Sequence, residues 1–309
     1  MCADYMPGHH GPGETPQGEY PNETIRLLHE RSSCRSFHDR KIPPDVLQYV
    51  LGAGIHAATG GNLQPYSIIQ IEDEKQKKKL ATICEQEFIG AAPVDLLFCI
   101  DWHRNRRWAE LETAPYSATN SFRHFWISFQ DTVIAAQNIC TAADALGLGS
   151  VYIGTVVDFL PECREMVELP DGVLPVVLLC LGYPKTRPLP RKKLGVPVVV
   201  HSEKYRELED SKLLDALEQK FPTMPPERRT PVTEEQLETI AQVCREVHGE
   251  QFAASCIDRI RKQGRISVAQ RYFGLHYRAD VMPADNARFL AIIEEFGFKW
   301  FRPYKPEAR

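Results

Sequence analysis

Residues 131–155, DTVIAAQNICTAADALGLGSVYIGT, decide the fold. Val133, Ile134, Ala135, Ala136, Ile139, Cys140, Ala142, Ala143 and Leu146 make a helix over 131–146 that is apolar almost all round. Such a helix demands burial on more than one side, at the centre of a large core or in an oligomer interface. Gly147 ends it, and residues 150–155 follow as a strand. Outward from this pair, the runs 67–71, 94–100 and 173–181 read as strands, the second buried between Pro93 and Asp101. Helices are predicted over 22–30, capped by Asn22 or Thr24, over 44–58 with Pro44 in the permissive first turn, and over 161–168.

Beyond a Pro-rich basic loop at 184–193 the character changes. Residues 205–309 read as mostly helical, with a possible capping box of Thr233 and Gln236, a stop at Gly249, and a last helix over 285–295 ending at Gly297. Helices and strands interleaved in the first two thirds, with helices alone in the last, predict an α+β fold with a helical C-terminal extension. The expected division is a flexible tail at 1–20, a core at 21–204 and the extension at 205–309. His9 and His10 in the tail amount to an adventitious metal contact at most.

The 309 residues are 43% hydrophobic and 25% charged, which excludes disorder, collagen and coiled coil, and a net charge of -4 supplies no global field for nucleic acid or anionic lipid. Nine scattered cysteines, an odd number, read as reduced intracellular thiols. No run approaches a membrane span, and the opening residues are polar and rich in Gly and Pro instead of basic then apolar, so the expected compartment is the cytoplasm. Residues 52–57 match a dinucleotide fingerprint loosely, but they follow a helical pattern where the mechanism needs a strand. No C-x-x-C spacing supports zinc, and no nucleophile elbow is present.

What remains is a set of anion-binding and amide-rich loops. Arg31-Ser32-Ser33-Cys34-Arg35 sets two guanidiniums and two hydroxyls directly after a helix, a density suited to a phosphate monoester. Taken alone, a solvated helix-ending loop is the readier reading. Arg191-Lys192-Lys193 is likewise surface by itself, although the two clusters together form a possible clamp on one phosphate. The lysines at 75–79 read as a solvated helix face. Residues 59–66, Thr-Gly-Gly-Asn-Leu-Gln-Pro-Tyr, join flexible backbone to two amides that suit a heterocycle, and at Tyr152-Ile153-Gly154-Thr155 a flat ring has room against backbone. Each of these is also readable as a plain turn.

Residues 31–37, then Gly61-Asn62-Leu63-Gln64-Pro65-Tyr66, then 146–154, then Leu181-Gly182-Tyr183-Pro184 occur in the order seen in the nitroreductase superfamily. The chain resembles most its oxygen-insensitive NADPH nitroreductase and flavin reductase group, over about residues 24–205. The resemblance implies a nitroreductase-like fold, a central mixed β-sheet flanked by helices, and a homodimer with FMN in the subunit interface, which gives the apolar helix its reason. It implies FMN phosphate contacts from Arg31, Ser32, Ser33 and Arg35, and from Arg191 and Lys193 with Lys192 between them. It implies flavin-ring and ribityl contacts from Thr59, Gln86, Tyr152, Ile153, Gly154 and Thr155. On the substrate side it implies Gly61 and Asn62, where the subgroup carries a serine-rich stretch, Arg228 and Arg229 for the 2'-phosphate of NADPH, and Arg288.

The activity implied is two-electron reduction of nitroaromatics, quinones or flavins by NADPH or NADH in a ping-pong cycle, with the flavin carrying the chemistry and no catalytic side chain or metal. The alternatives within the superfamily are a reductive dehalogenase and a flavin-fragmenting enzyme. Outside enzymes the alternative is a non-catalytic flavin-binding protein.

Overall fold

The computed structural model describes residues 20–306. The tail expected at 1–20, with Cys2 and the His9–His10 pair, lies outside the described residues except for Tyr20. Two compact units result, one of residues up to 190 together with 290 onward, the other of residues 191–289.

In the first unit, α1 (Glu23–Glu30) begins where Asn22 Oδ1 accepts from the Ile25 amide at 3.0 Å. Helix α2 (Pro44–Ile55) stops short of the expected residue 58, and β1 (Tyr66–Ile71) follows. Next comes α3 (Glu74–Ile83), whose N-terminal amides donate to Asp73. Its lysine run is solvated as expected except at Lys77, whose side chain is buried and donates from Nζ to the Ala92 carbonyl at 2.8 Å. The chain continues through α4 (Glu87–Ala91), β2 (Val94–Asp101), α5 (His103–Leu111), α6 (Phe122–Ala145), β3 (Gly149–Ile153), α7 (Leu160–Met166) and β4 (Val173–Gly182).

The strands form one sheet in the order β1-β2-β4-β3. Instead of being mixed it is antiparallel in every strand pair, because β4 lies between β2 and β3 and runs against both; the parallel contact is an isolated bridge of Ser33 with Ser150. Side chains alternate across it. Leu96, Phe98, Leu179 and Leu181 pack toward α2 and α6, while Leu97, Cys99, Leu178 and Cys180 face the opposite layer. Each such burial contributes roughly 1.5–3 kcal/mol. Helices α2 and α6 touch at Gly54, where a Cβ would lie 2.6 Å from Ile139 Cδ1, so Gly54 serves close helix packing, while Gly52 has nothing within 4 Å.

Helix α6 begins nine residues before the expected start, capped by Ser121, and is not enclosed all round within one chain. Ala135, Ala136, Ile139, Cys140 and Ala143 are buried, whereas Phe122, Trp126, Phe129 and Ile134 are exposed. Residues 290–306 return to this unit, with Phe296 and Phe298 in its core and the Gly172 amide donating to the Phe296 carbonyl at 2.8 Å.

The second unit is helical: α8 (Val196–Val199), α9 (Asp210–Lys220), α10 (Glu234–His248), α11 (Glu250–Gln263), α12 (Val268–Arg271) and the start of α13 (Asn286–Glu295). The capping box at Thr233 and Gln236 forms, and Leu237, Ile240 and Ile260 are its small core. No helix among the described residues is long and apolar enough to cross a membrane.

Candidate active site

The basic loop at 31–35 is stitched between two strand ends. The Cys34 amide donates to the Ser150 carbonyl at 2.9 Å, and three residues on the chain pairs with the far end of β4 through His38 to Tyr183 at 2.8 Å and Lys185 to Ser36 at 2.9 Å. This brings Arg31, the C-cap of α1, to the end of α6. Its Nε donates to Asp144 Oδ2 at 3.3 Å and its NH2 to Ser150 Oγ at 3.4 Å. Asp144 is buried, and its other oxygen accepts from Arg187 NH1 at 2.9 Å, while Arg187 NH2 donates to the Leu148 carbonyl at 2.6 Å.

Two guanidiniums on one carboxylate leave a net positive charge beside Ser32, which is buried, and Ser33, which is half-buried. Arg35 is exposed, its guanidinium 5.9 Å from the centre of the Phe88 ring. Sequence reasoning missed Arg187 and Asp144. Both stand in motifs it had quoted or flanked, but their pairing spans 43 residues and has no local signal.

The loop at 59–64 is held from behind by Asp131 of α6. Its Oδ2 accepts from Thr59 Oγ1 at 2.8 Å and from the Gly60 amide at 3.0 Å, and Thr59 Oγ1 in turn accepts from the Gln64 amide at 3.1 Å. Gly61, Asn62 and Gln64 all have positive φ, at 60°, 54° and 46°, so two non-glycine residues sit in the left-handed region. Arg104 braces the loop's far end, donating to the Tyr66 carbonyl at 2.9 Å. Beside it is a hollow of about 290 Å³, with Gly60 and Gly61 on one wall and Trp102, Arg123 and His124 on the other.

The third expected cluster is brought together across 69 residues: Gln86 Nε2 donates to Thr155 Oγ1 at 3.0 Å. Gly154, between β3 and the turn that follows, has nothing within 4 Å of where a Cβ would stand, which leaves its backbone open to a flat group. Ile153 is buried, and burial pushes the Tyr152 phenol well above its ordinary value. These features fit a phosphate-bearing flavin: a cationic loop with hydroxyls, an amide–hydroxyl pair for a heteroatom edge, and an open glycine.

Other expected residues belong to the second unit. Arg191, Lys192 and Lys193 open it, Arg228 is exposed, and Arg229 donates from Nε to the Met224 carbonyl at 2.7 Å. Arg288 lies 3.6 Å from Asp285 and stacks near Phe289.

Comparison with known proteins gives a consistent set of relatives. Residues 28–183 match the nitroreductase family. An oxygen-insensitive NADPH nitroreductase of Salmonella typhimurium is 32% identical over 192 residues, covering 62% of this chain and 78% of that protein. An FMN reductase (NAD(P)H) of Bacillus subtilis is 33% identical over 186 residues, covering 60% of this chain and 75% of its own. The solved structure of the hypothetical oxidoreductase YcnD from Bacillus subtilis superposes with a TM-score of 0.68 at 26% identity, covering 90% of this chain and 98% of that one.

Proposed function

Because the chain belongs to the nitroreductase family, we propose that it is an FMN-dependent oxidoreductase using NADPH or NADH for two-electron reduction of small molecules. Its acceptors are nitroaromatics, quinones or flavins, taken in a ping-pong cycle. FMN, when bound, supplies the electron chemistry, accepting hydride from a nicotinamide and yielding two electrons to the acceptor.

The observation that carries the reading is the convergence of Arg31 and Arg187 on Asp144 beside Ser33. The pair is over-charged for one carboxylate, and a phosphate dianion offsets that excess through charge-assisted hydrogen bonds. Arg31, Ser32, Ser33 and Arg35 hold the phosphate, with Arg191, Lys192 and Lys193 assigned to the same group. Gln86 and Thr155 meet the ring's heteroatom edge, and Tyr152, Ile153 and Gly154 offer backbone to its face. Thr59, its hydroxyl engaged by Asp131 and Gln64, steadies the loop on which Gly61 and Asn62 meet the acceptor. Arg228 and Arg229 are assigned to the NADPH 2'-phosphate and Arg288 to the acceptor side. The exposed apolar face of α6 is covered by a second copy, giving a homodimer, and the compartment is the cytoplasm.

The test is anaerobic stopped-flow mixing of the FMN-loaded protein with NADPH and, separately, NADH. The expected result is stoichiometric bleaching of the flavin band, then its return on adding a quinone or nitroaromatic. Bleaching by neither donor would overturn the enzymatic reading. Neutralising Arg228 and Arg229 together should lower the NADPH-to-NADH preference, and an unchanged ratio would remove them from the site.

A further inference from the structure

Cys244 in α10 and Cys256 in α11 both pack against the Leu237, Ile240 and Ile260 cluster that joins the two helices of the hairpin. Only Gly249, at φ 88°, separates the two helices, and Leu237, Ile240 and Ile260 clamp them together beside the thiols. Both cysteines are half-buried, whereas the other six described cysteines are buried. Those six are closed off from a dissolved oxidant, which reaches Cys244 and Cys256 more readily.

A third group orients the pair. Gln270 Nε2 lies 3.6 Å from Cys256 Sγ, while its Oε1 accepts from the Ser267 amide at 2.8 Å, so the amide is locked with its donor toward the sulfur. A donor so placed steadies negative charge developing on Cys256. Cys244 is pushed up to about 11, by burial first and by Cys256 second, so it holds its proton until the second step releases it.

We propose that Cys244 and Cys256 are a redox-active dithiol that a hydroperoxide converts to an intramolecular disulfide. Cys256 gives up its proton and attacks the peroxide oxygen as thiolate, the O–O bond breaks, a sulfenic acid forms, and the leaving hydroxide or alkoxide takes that proton to depart as water or, from an organic peroxide, as an alcohol. Cys244 sulfur then attacks Cys256 Sγ, the S–O bond breaks, and a second water leaves with the Cys244 proton. Two thiols lose two electrons and the peroxide gains them. The step requires no flavin.

The experiment treats the reduced, full-length protein with hydrogen peroxide at a small molar excess, blocks remaining thiols with N-ethylmaleimide, and maps a non-reducing tryptic digest by mass spectrometry. Trypsin cuts at Arg245, so a link between the two cysteines joins separate peptides. The expected result is a Cys244–Cys256 linked pair two hydrogens lighter than its parts and released by dithiothreitol, with Cys244→Ser instead leaving a dimedone-reactive sulfenic acid at Cys256. Full alkylation of both thiols, separate sulfinic acids, or links to Cys2 or a second chain would overturn the proposal.

Discussion

Asp144 governs the charge at the proposed phosphate loop, since one buried carboxylate accepts from Arg31 and Arg187 together. Replacing Arg187 by Ala leaves Arg31 merely neutralised, so Arg187→Ala should weaken FMN binding by about ten- to a hundredfold, with Arg35→Ala in the same range. Lys78→Ala, on the exposed face of α3, is the control, and equal losses from all three in an FMN titration would contradict the assignment. Arg31 and Arg35 stood out in the sequence because they adjoin hydroxyls. Lys77 misled it, because nothing local shows that its Nζ reaches the Ala92 carbonyl. Asp95 supplies a second residue-scale prediction. Both its oxygens are buried without a hydrogen-bond partner, and burial lifts its pKa from 3.8 to about 7, against the lowering effects of the nearby Cys180 thiol and the charge of Lys77. The folded state then binds the proton that the unfolded state has lost, so this contribution to stability is whole below about pH 4 and is lost as pH rises toward about 7. Denaturant unfolding of Asp95→Asn at several pH values should show a flatter pH dependence across that window than the parent. The difference should be of order a few kcal/mol. Parallel pH profiles would refute it.

Helix α6 carries three duties at once: its buried stripe packs on the sheet, Asp131 and Asp144 anchor the two candidate loops, and its outer face shows Phe122, Trp126, Phe129 and Ile134. A groove between it and Tyr152, Val176 and Val177 continues that apolar face. Contiguous exposed aromatics of this kind mark an interaction surface. Light scattering of the FMN-loaded protein at micromolar concentration should therefore give the mass of two chains, and Trp126→Glu with Phe129→Glu should shift it toward one. A one-chain mass for the unsubstituted protein would contradict the dimer. The centre of this helix was legible in the sequence from its apolar run. Its first turns were not, because residues 122–130 mix aromatics with Arg123, His124 and Gln130, and the useful signal was the small one of Ser121 as N-cap. The box at Thr233 and Gln236 was legible because both halves of that motif lie within one turn.

Across the whole molecule, strands and helices were readable from local patterns, while their pairing was not. The apolar run between Pro93 and Asp101 marks β2 as buried, yet only registers such as Leu97 against Leu178 and Val151 against Cys180 make the sheet antiparallel. The return of Phe296 and Phe298 to the first unit is equally non-local. A net charge of -4 likewise hides a local cationic loop whose members come from both ends of that unit. The claim that this loop and the Gln86–Thr155 pair hold a flavin meets its most direct test in cofactor content. Protein purified after growth with ample riboflavin, or mixed with FMN and passed through gel filtration, should be yellow and release one FMN per chain on denaturation. Colourless protein that takes up no added FMN would contradict the account.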